Sequence, residues 1–281
     1  MEILVRDIIN KAQNTLEAAG IADSQVDSWL LAEFAFGITR AKYYANMQMT
    51  VDGKSAEKYN ELVNQTAGTL PLQYLVGTQE FMGLTFKVNE NVLIPRQDTE
   101  LLVENVADCL GNGKRTVLDM CTGSGCIAVS IDRLSKDSKV TAVDISEKAL
   151  EIAQENNRFN NANVTFIQSD LFTNVTGRDD IIVSNPPYIR TDEIPKLMEE
   201  VKSHEPVMAL DGMEDGLYFY KKICNEASDY LNDNGKIFFE IGYDQGDDVS
   251  EILRQNRFCN IEVLKDLSGN DRVVILSLIH I

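Results

Sequence analysis

The tetrapeptide Asn185-Pro186-Pro187-Tyr188 is the segment whose residue types say most about chemistry. It ends an apolar run, DIIVSN, that is typical of a buried strand. Two consecutive prolines stop strand pairing and fix the backbone φ angle, which leaves the carbonyl groups at the strand tip able to accept other hydrogen bonds. Asn185 adds a side-chain acceptor and Tyr188 a flat aromatic face. A plain strand-ending turn would explain Asn-Pro but not the whole run.

Such a segment suits the alkylation of an amide or aryl amine nitrogen, which is planar and a poor nucleophile. The Asn185 side-chain oxygen and the Pro186 carbonyl can accept its two N–H groups, which orients the nitrogen and favours the positive charge that develops on it. We therefore predict methyl transfer to nitrogen without a general base acting before the attack. Only two histidines, His204 and His280, are present, which agrees with that prediction.

A glycine-rich turn, DMCTGSGCIA over residues 119–128, follows one predicted strand and opens a helix. Gly123 and Gly125 allow a tight turn and a close approach of a ligand to the backbone. One strand later, Asp144 stands at a strand end, where its carboxylate can accept both hydroxyls of a ribose. The pattern predicts a nucleoside-containing cofactor.

The same turn also satisfies the dinucleotide fingerprint, so the identity of the cofactor needs a second argument. Asp119 ends the strand beside the turn, and its carboxylate would repel a pyrophosphate but favour the ammonium and sulfonium groups of S-adenosylmethionine. Asp170 and Phe172 follow the third strand, where an acid can accept from the adenine amino group and an aromatic ring can cover the base. The alternatives are a loop-capping role for Asp119, a turn role for Asp170 and a core position for Phe172.

These residues need a sheet whose strand ends meet, and the sequence predicts one. Strand-like runs alternate with helical stretches, which implies a parallel sheet covered on both faces. Five parallel strands, all separated by helical stretches, should be closed by an antiparallel terminal hairpin because the turn LSGND is too short for a crossover. The strand-like runs cover residues 116–120, 139–145, 164–168, 180–185, 235–241, 261–266 and 272–278.

The first seventy-five residues show helical periodicity instead. Apolar residues recur at spacings of three and four from Val5 to Ala19, and further helices are predicted after Asp23 and over residues 56–67. A β-hairpin is expected between Phe81 and Ile94. We predict a helical docking domain over 1–75, a hairpin junction over 76–100 and a catalytic domain over 101–281.

Composition limits the partners. Lys and Arg number 26 against 44 Asp and Glu, a net charge of −18, which disfavours nucleic acid as a direct partner because a duplex binder needs a cationic face.

No apolar run is long enough for a membrane span, and the first residues lack the form of a signal peptide, so we expect a cytoplasmic protein. Five cysteines without a CxxC pair predict reduced thiols and no metal site.

Several segments, in order, resemble one family. They are PLQYLVGTQEFMGL, VLIPRQDTELLVE, DMCTGSG, VDISEKAL, NPPY and ALDGMEDGL. They are similar to the protein-(glutamine-N5) methyltransferases that modify peptide chain release factors (the PrmC or HemK family), and the resemblance covers nearly the whole chain. NPPY alone is shared with DNA adenine methyltransferases. The sequence His204-Glu205-Pro206 departs from the family pattern, and we expect it to affect a flanking loop rather than the site, with His204 solvated.

The resemblance implies a Rossmann-like class I methyltransferase sheet with a small N-terminal helical bundle. It implies S-adenosylmethionine as methyl donor and, as substrate, the glutamine of the Gly-Gly-Gln (GGQ) loop of bacterial class 1 release factors. The residues implied for the cofactor, including those predicted above, are Asp119, Cys121, Thr122, Gly123, Ser124, Gly125, Asp144, Asp170, Phe172 and Asn185. Those implied for the substrate are Asn185, Pro186, Pro187 and Tyr188.

Two other functions stay open at this point. One is methylation of adenine N6 in nucleic acid, which the net charge and the absence of a basic recognition segment oppose. The other is a nucleotide-responsive binding protein that has lost turnover, which an intact NPPY segment opposes. We expect a monomer.

Overall fold

The computed structural model describes residues 2–111, 113–135, 137–256 and 258–278, so that His280 lies outside the described residues. The chain divides into two compact units. The first contains Met1–Gly77 and Met198–His204, and the second contains Thr78–Leu197 and Glu205–Ile281. Within the part of the chain that the structure describes, no helix is both long and apolar enough to cross a membrane.

The first unit is a helical bundle built on apolar stripes. Its helices are α1 (Val5–Ala18), α2 (Ser24–Phe36), α3 (Arg40–Ala45), α4 (Gly53–Ala67), α5 (Leu72–Val76) and α9 (Glu199–His204), beside a short antiparallel pair of β1 (Glu2–Leu4) and β2 (Thr50–Asp52). The predicted stripe of α1 is buried from Val5 to Leu16, whereas Ala19 is exposed. Helix α4 begins before the predicted residue 56 because the Asp52 carboxylate accepts hydrogen bonds from the backbone N–H groups of Lys54 and Ser55.

The second unit carries the predicted sheet. Its strands are β3 (Thr78–Phe81), β4 (Leu84–Lys87), β5 (Thr116–Met120), β6 (Lys139–Asp144), β7 (Thr165–Gln168), β8 (Asp179–Ser184), β9 (Leu231–Glu240), β10 (Phe258–Lys265) and β11 (Asp271–Leu278). Its helices are α6 (Glu100–Leu110), α7 (Cys126–Leu134), α8 (Glu147–Phe159), α10 (Tyr218–Tyr230) and α11 (Gly246–Gln255).

Seven of these strands form one sheet in the order β10-β11-β9-β8-β5-β6-β7. Strands β5 to β9 pair in parallel, and β11 pairs antiparallel with both β9 and β10. The predicted parallel sheet with a terminal hairpin is therefore confirmed. The expectation of a helix in every connection was wrong for β7 to β8, because residues 169–178, all of them described, form turns and loops. Because β7 and β8 run in the same direction, these ten residues return the chain from the carboxyl end of β7 to the amino end of β8 without a helix.

The central strands are apolar on both faces, because helices cover the sheet on either side. Strand β5 lies in the middle of the sheet, between β8 and β6. From β5 the chain continues to β6 and β7 on one side of it, and then crosses to β8 and β9 on the other side. The carboxyl ends of β5, β6, β7 and β8 therefore meet around one crevice, the usual position of a ligand in an open α/β sheet. The predicted hairpin is formed by β3 and β4 over residues 78–87, with a turn in which Met82 and Gly83 both have positive φ. Its expected bounds of Phe81 to Ile94 were wrong, because residues 88–94 form turns and loops.

Candidate active site

A cavity of about 420 Å³ opens at the carboxyl ends of the parallel strands. This volume is within the range of small-molecule sites. Six of the predicted site residues line it, namely Cys121, Gly123, Asp144, Asp170, Asn185 and Pro187. Residues from the ends of four different strands thus line one cavity, as a shared ligand site requires.

The other predicted residues lie around this cavity without lining it. They are Asp119, Thr122, Ser124, Gly125, Phe172, Pro186 and Tyr188. Asp119, Thr122 and Ser124 are buried in or beside the glycine-rich turn. Pro186 is buried directly after Asn185, and Tyr188 is half-buried.

The glycine-rich turn is shaped by three positive φ angles, at Cys121 (59°), Gly123 (54°) and Gly125 (78°). At Gly123 no described atom lies within 4 Å of the position that a Cβ would occupy, so the backbone faces open space. At Gly125 a Cβ would lie 3.0 Å from the Cβ of Ala153 in α8. Gly123 thus leaves room for a ligand, and Gly125 lets the turn pack closely against a helix.

Asp144 connects two loops at the cavity wall. One carboxylate oxygen accepts the backbone N–H of Gly123 at 2.8 Å, and the other accepts that of Ser146 at 2.9 Å. Burial raises the pKa of Asp144, although these hydrogen bonds to the ionised form oppose the shift. Each oxygen keeps a further lone pair, so the carboxylate can hold the turn and also accept ligand hydroxyls.

Asp119 lies fully buried behind the turn. Its Oδ2 accepts the Thr122 hydroxyl at 2.5 Å, whereas its Oδ1 has no hydrogen-bond partner among the described residues. Burial raises the pKa of Asp119 to about 7. A buried carboxylate with an unsatisfied oxygen is stabilised in its ionised form by a nearby cation, so this wall of the site fits a ligand that carries positive charge.

The segment after β7 places two neighbouring side chains differently. Asp170 is exposed at the cavity, and Leu171, which has a positive φ of 47°, lines it. Phe172 is buried and stacks on Tyr230, with ring centroids 4.4 Å apart. The aromatic ring predicted to cover a base is therefore part of the core, and Leu171 supplies the apolar contact surface at that position.

The NPPY segment is anchored on both sides. The Ser184 hydroxyl donates to the Met120 carbonyl at 2.7 Å, and the Tyr188 carbonyl accepts the Gln245 side-chain amide at 3.0 Å. The Asn185 Nδ2 donates to the Thr99 hydroxyl at 3.3 Å. Burial raises the pKa of the Tyr188 phenol, which keeps it protonated at neutral pH. Asn185 is thus held by side-chain contacts on a rigid strand end and faces the cavity.

Two buried residues near Asn185 are absent from the sequence-based prediction. Thr99 belongs to the short turn that precedes α6, and Glu240 ends β9 beside Asn185. Burial raises the pKa of Glu240 to about 7. The signal was present in GKIFFEIG, where an apolar strand ends on an acid, much as Asp119 stands one residue before the end of β5.

The segment over residues 205–219 contributes to the cavity, which the sequence analysis did not predict. Pro206 lines the cavity, and the buried Glu205 carboxylate pairs with Arg96 and accepts the Ile94 backbone N–H, so the expectation that His204-Glu205-Pro206 concerns only a flanking loop was wrong. His204 ends α9 half-buried, with its Nε2 3.4 Å from the Thr69 hydroxyl, rather than in a solvated loop. Met208, Met213 and Tyr218 complete this wall.

The described residues contain no group of three or more His, Cys, Asp or Glu side chains that could hold a metal ion. The polar groups that line the cavity include the carboxylates of Asp144 and Asp170 and the amide of Asn185. These groups bind and orient a cationic ligand and an N–H donor.

Comparison with known proteins identifies both parts of the chain. Residues 7–77 match the family model of the PrmC N-terminal domain, and residues 96–203 match that of the methyltransferase small domain. The release factor glutamine methyltransferase of Fusobacterium nucleatum is 42% identical over 274 residues, which are 96% of this chain and 77% of the relative. That of Clostridium botulinum is 38% identical over 97% of this chain and 98% of its own length.

Solved structures show the same fold at lower identity. A ribosomal protein L11 methylase from Lactobacillus delbrueckii has a TM-score of 0.50 at 24% identity and covers 66% of this chain and 81% of its own. A 16S rRNA methyltransferase from Thermus thermophilus has a TM-score of 0.51 at 19% identity, covering 72% of this chain and 50% of its own. Because the curated relatives match over nearly the whole length, the chain belongs to the release factor glutamine methyltransferase family, and it is an S-adenosylmethionine-dependent enzyme with a Rossmann-like class I methyltransferase sheet.

Proposed function

We propose that the chain methylates the side-chain amide nitrogen (N5) of the glutamine in the GGQ motif of bacterial class 1 release factors, and thereby supports translation termination. One observation carries the proposal: Asn185, Gly123 and Asp144 line the same cavity. A hydrogen-bond acceptor for an amide thus stands within one cavity beside a site for a nucleoside-containing donor. The names of the curated relatives support the same substrate.

In this proposal, S-adenosylmethionine supplies an electrophilic methyl group on a sulfonium. The turn at Gly123 holds the charged end of the donor, and the buried Asp119 behind the turn favours its positive charge without touching it. Asp144 holds the ribose, while Asp170 and Leu171 lie beside the base. Cys121, Thr122, Ser124, Gly125 and Phe172 support the shape of this wall.

Asn185 and the Pro186 carbonyl accept the two N–H groups of the glutamine amide, and Pro187 and Tyr188 support the surface on which the amide lies. Both acceptors favour positive charge on the nitrogen as it attacks. The attack breaks no N–H bond, so no base has to act first, and the proton leaves the methylated nitrogen afterwards.

We propose further that the first seventy-five residues form the domain that docks the release factor. A glutamine side chain offers too few contacts to select one protein among many. Helix α2 carries an exposed apolar stripe of Val26, Leu30 and Phe34, each 39–45% exposed. Apolar residues at this spacing on an exposed helix face are typical of a protein-binding surface.

We also propose that the protein is a cytoplasmic monomer and that it acts without binding nucleic acid. The net charge of −18 supports the last point, since nucleic acid binding depends on neutralising phosphates with basic residues. The direct test incubates the enzyme with labelled methyl donor and either a release factor or DNA and RNA. Label on the protein is expected, whereas label on adenine would replace this proposal with a nucleic acid methyltransferase.

Replacing Asp144 by alanine should weaken S-adenosylmethionine binding about 30- to 150-fold, since losing a charge-assisted, largely desolvated contact costs ~2–3 kcal/mol. Calorimetry with the donor measures the effect. Asp132→Ala is the matched control, because the Asp132 carboxylate also accepts a backbone N–H, from Asn163, but lies outside the cavity lining. Unchanged donor affinity in Asp144→Ala would remove Asp144 from the site.

Donor affinity should rise about tenfold from pH 6 to pH 8, because Asp119 has a pKa of about 7 and a cationic ligand favours its ionised form. Below pH 7 the carboxyl is protonated in the free enzyme, and binding has to release that proton. Calorimetry in two buffers of different ionisation enthalpy measures this release at pH 6. Asp119→Asn should bind the donor more weakly and without the proton release, and an equal release in this variant would assign the proton to another group.

A further inference from the structure

Glu240 is a buried acid whose place in the sheet puts it next to Asn185. Strands β8 and β9 are parallel, with Ser184 paired to Phe239. The next residue on each strand is Asn185 and Glu240, respectively. Glu240 is only 2% exposed. An acid in this position has to find its partners among neighbouring side chains.

Two polar side chains beside it, the Thr99 hydroxyl and the Asn185 amide, favour the ionised form of the Glu240 carboxylate and oppose the rise in its pKa that burial causes. The Asn185 Nδ2 also donates to the Thr99 hydroxyl at 3.3 Å. We call Glu240, Thr99 and Asn185 the triangle: the Thr99 hydroxyl accepts from the Asn185 amide and has its own hydrogen left to donate to the acid. The Oε2 of Glu240 has no hydrogen-bond partner among the described residues.

Among the described residues, no charged or titratable side chain forms a hydrogen bond with this carboxylate. The Tyr220 hydroxyl donates to the backbone carbonyl of Glu240. The Arg272 guanidinium pairs with Asp98 at 3.2 Å and with Asp266 at 3.0 Å. The groups that interact electrostatically with Glu240 are Asp98, Cys126, Tyr188, Tyr220 and Arg272. The acid is thus not a simple ion-pair partner of the arginine.

The triangle determines which way the Asn185 amide points. An ionised carboxylate can only accept hydrogen bonds, and an amide NH₂ has two hydrogens to donate. One hydrogen is directed to Thr99. The other can be donated to the neighbouring Glu240 carboxylate, so the NH₂ group can be satisfied inside the protein. The opposite orientation would place the amide oxygen against carboxylate oxygens, which repel it. The Asn185 oxygen is thereby left for a ligand in the cavity.

We propose that Glu240, with Thr99, is a positioning residue that turns the Asn185 side-chain oxygen towards the substrate amide. This inference rests on the proposed function, in which that oxygen accepts a substrate N–H. It assigns a role to the threonine of the IPRQDTE segment, which lies far from NPPY in the sequence. Neither residue touches substrate, so both act through Asn185.

The test uses the full-length enzyme and the variants Glu240→Gln, Thr99→Val and Thr99→Ser. Glutamine keeps the shape of Glu240 but can donate to Asn185, and valine keeps the shape of threonine without its hydroxyl. Glu240→Gln and Thr99→Val should lower kcat about 10- to 100-fold while KM and donor affinity change less than about threefold, since only the transition-state contact is weakened. Thr99→Ser should restore kcat to near the wild-type value.

Asp180→Asn is the matched control. Asp180 lies at the opposite end of β8, where its carboxylate accepts the Thr116 backbone N–H at 2.8 Å and the Asn232 side-chain amide at 3.0 Å. The variant removes an acid of the same sheet without touching the triangle, so kcat should be unchanged. A purely structural role for Glu240 would instead lower thermal stability and donor affinity in step with kcat.

A pH profile gives a second readout at saturating donor and substrate. Wild-type kcat should fall below about pH 7, where Glu240 becomes protonated and can donate to Asn185. Glu240→Gln should lack that fall. Asp119 titrates in the same range, but a saturating cationic donor keeps it ionised.

Two results would overturn different statements. Wild-type kcat and an unchanged pH profile in Glu240→Gln, with a fully active wild-type enzyme, would overturn the positioning role alone. A wild-type enzyme that transfers no methyl group to a release factor would overturn the proposed function and this inference with it. If Glu240→Gln did not fold, Thr99→Val against Thr99→Ser would decide the question.

Discussion

Asn185→Ala should reduce methyl transfer about 10²–10³-fold, the usual scale for the loss of one preorganised electrostatic contact. The Asn185 oxygen is a fixed acceptor in this proposal, because its NH₂ group donates to Thr99 and lies beside the Glu240 carboxylate. Alanine leaves one substrate N–H without its partner in the transition state. Donor affinity should stay within about tenfold, since Gly123 and Asp144 on the neighbouring strand ends are unchanged.

Single-turnover rates with saturating donor measure this effect without a contribution from product release. Asn232→Ala is the matched control, because the Asn232 amide donates to Asp180 at the opposite end of the sheet. Asn185→Asp should also be inactive at pH 8, since it sets a second carboxylate against Glu240 and removes the donors that hold the side chain. A wild-type rate in Asn185→Ala would show that the amide is held by other groups.

Changing the exposed stripe of α2 should separate docking from chemistry. Replacing Val26, Leu30 and Phe34 together by glutamine removes the apolar surface of α2. The helix should be retained, because glutamine is a good helix former. Methylation of an intact release factor should then fall about 10²–10³-fold in kcat/KM, since each central contact of an interface contributes about 1–1.5 kcal/mol. A short Gly-Gly-Gln peptide lacks the rest of the release factor surface and should be methylated as well as by the wild type.

The paired control is Glu57→Gln with Glu61→Gln, which changes exposed residues on α4 of the same unit.

Surface substitution is preferable to deletion of residues 1–75, because residues Met198–His204 belong to the same compact unit and would lose their packing partners. Deletion should give the same contrast, with donor binding nearly intact. Equal losses on protein and peptide would mean that the helices only stabilise the enzyme.

The sheet was predictable because its signals are local. Alternating apolar strands and helices define the five parallel strands, and a turn of five residues excludes a crossover before the last strand. The glycine-rich turn and Asp144 could be placed at one crevice because the carboxyl ends of parallel strands share an edge. The connection between β7 and β8 was predicted wrongly because its polar residues resemble a helix start as much as a turn.

The supports of the site were harder to predict because they depend on distant pairings. Thr99 reaches Asn185 across 86 positions of the chain, and nothing near NPPY indicates which residue will lie there. Glu240 stands opposite Asn185 only because β8 and β9 pair in that register. Phe172 was predicted at the base from its neighbour Asp170, yet the positive φ of Leu171 turns the chain so that Leu171 lines the cavity and Phe172 packs in the core.

The most direct test of the account locates the methyl group. A release factor is incubated with the wild-type enzyme and isotopically labelled S-adenosylmethionine, digested, and sequenced by tandem mass spectrometry. One labelled methyl group on the side-chain nitrogen of the Gly-Gly-Gln glutamine is the predicted result, with none on a release factor whose glutamine is replaced by glutamate. Label on another residue, or equal label on the glutamate variant, would contradict an amide held by Asn185.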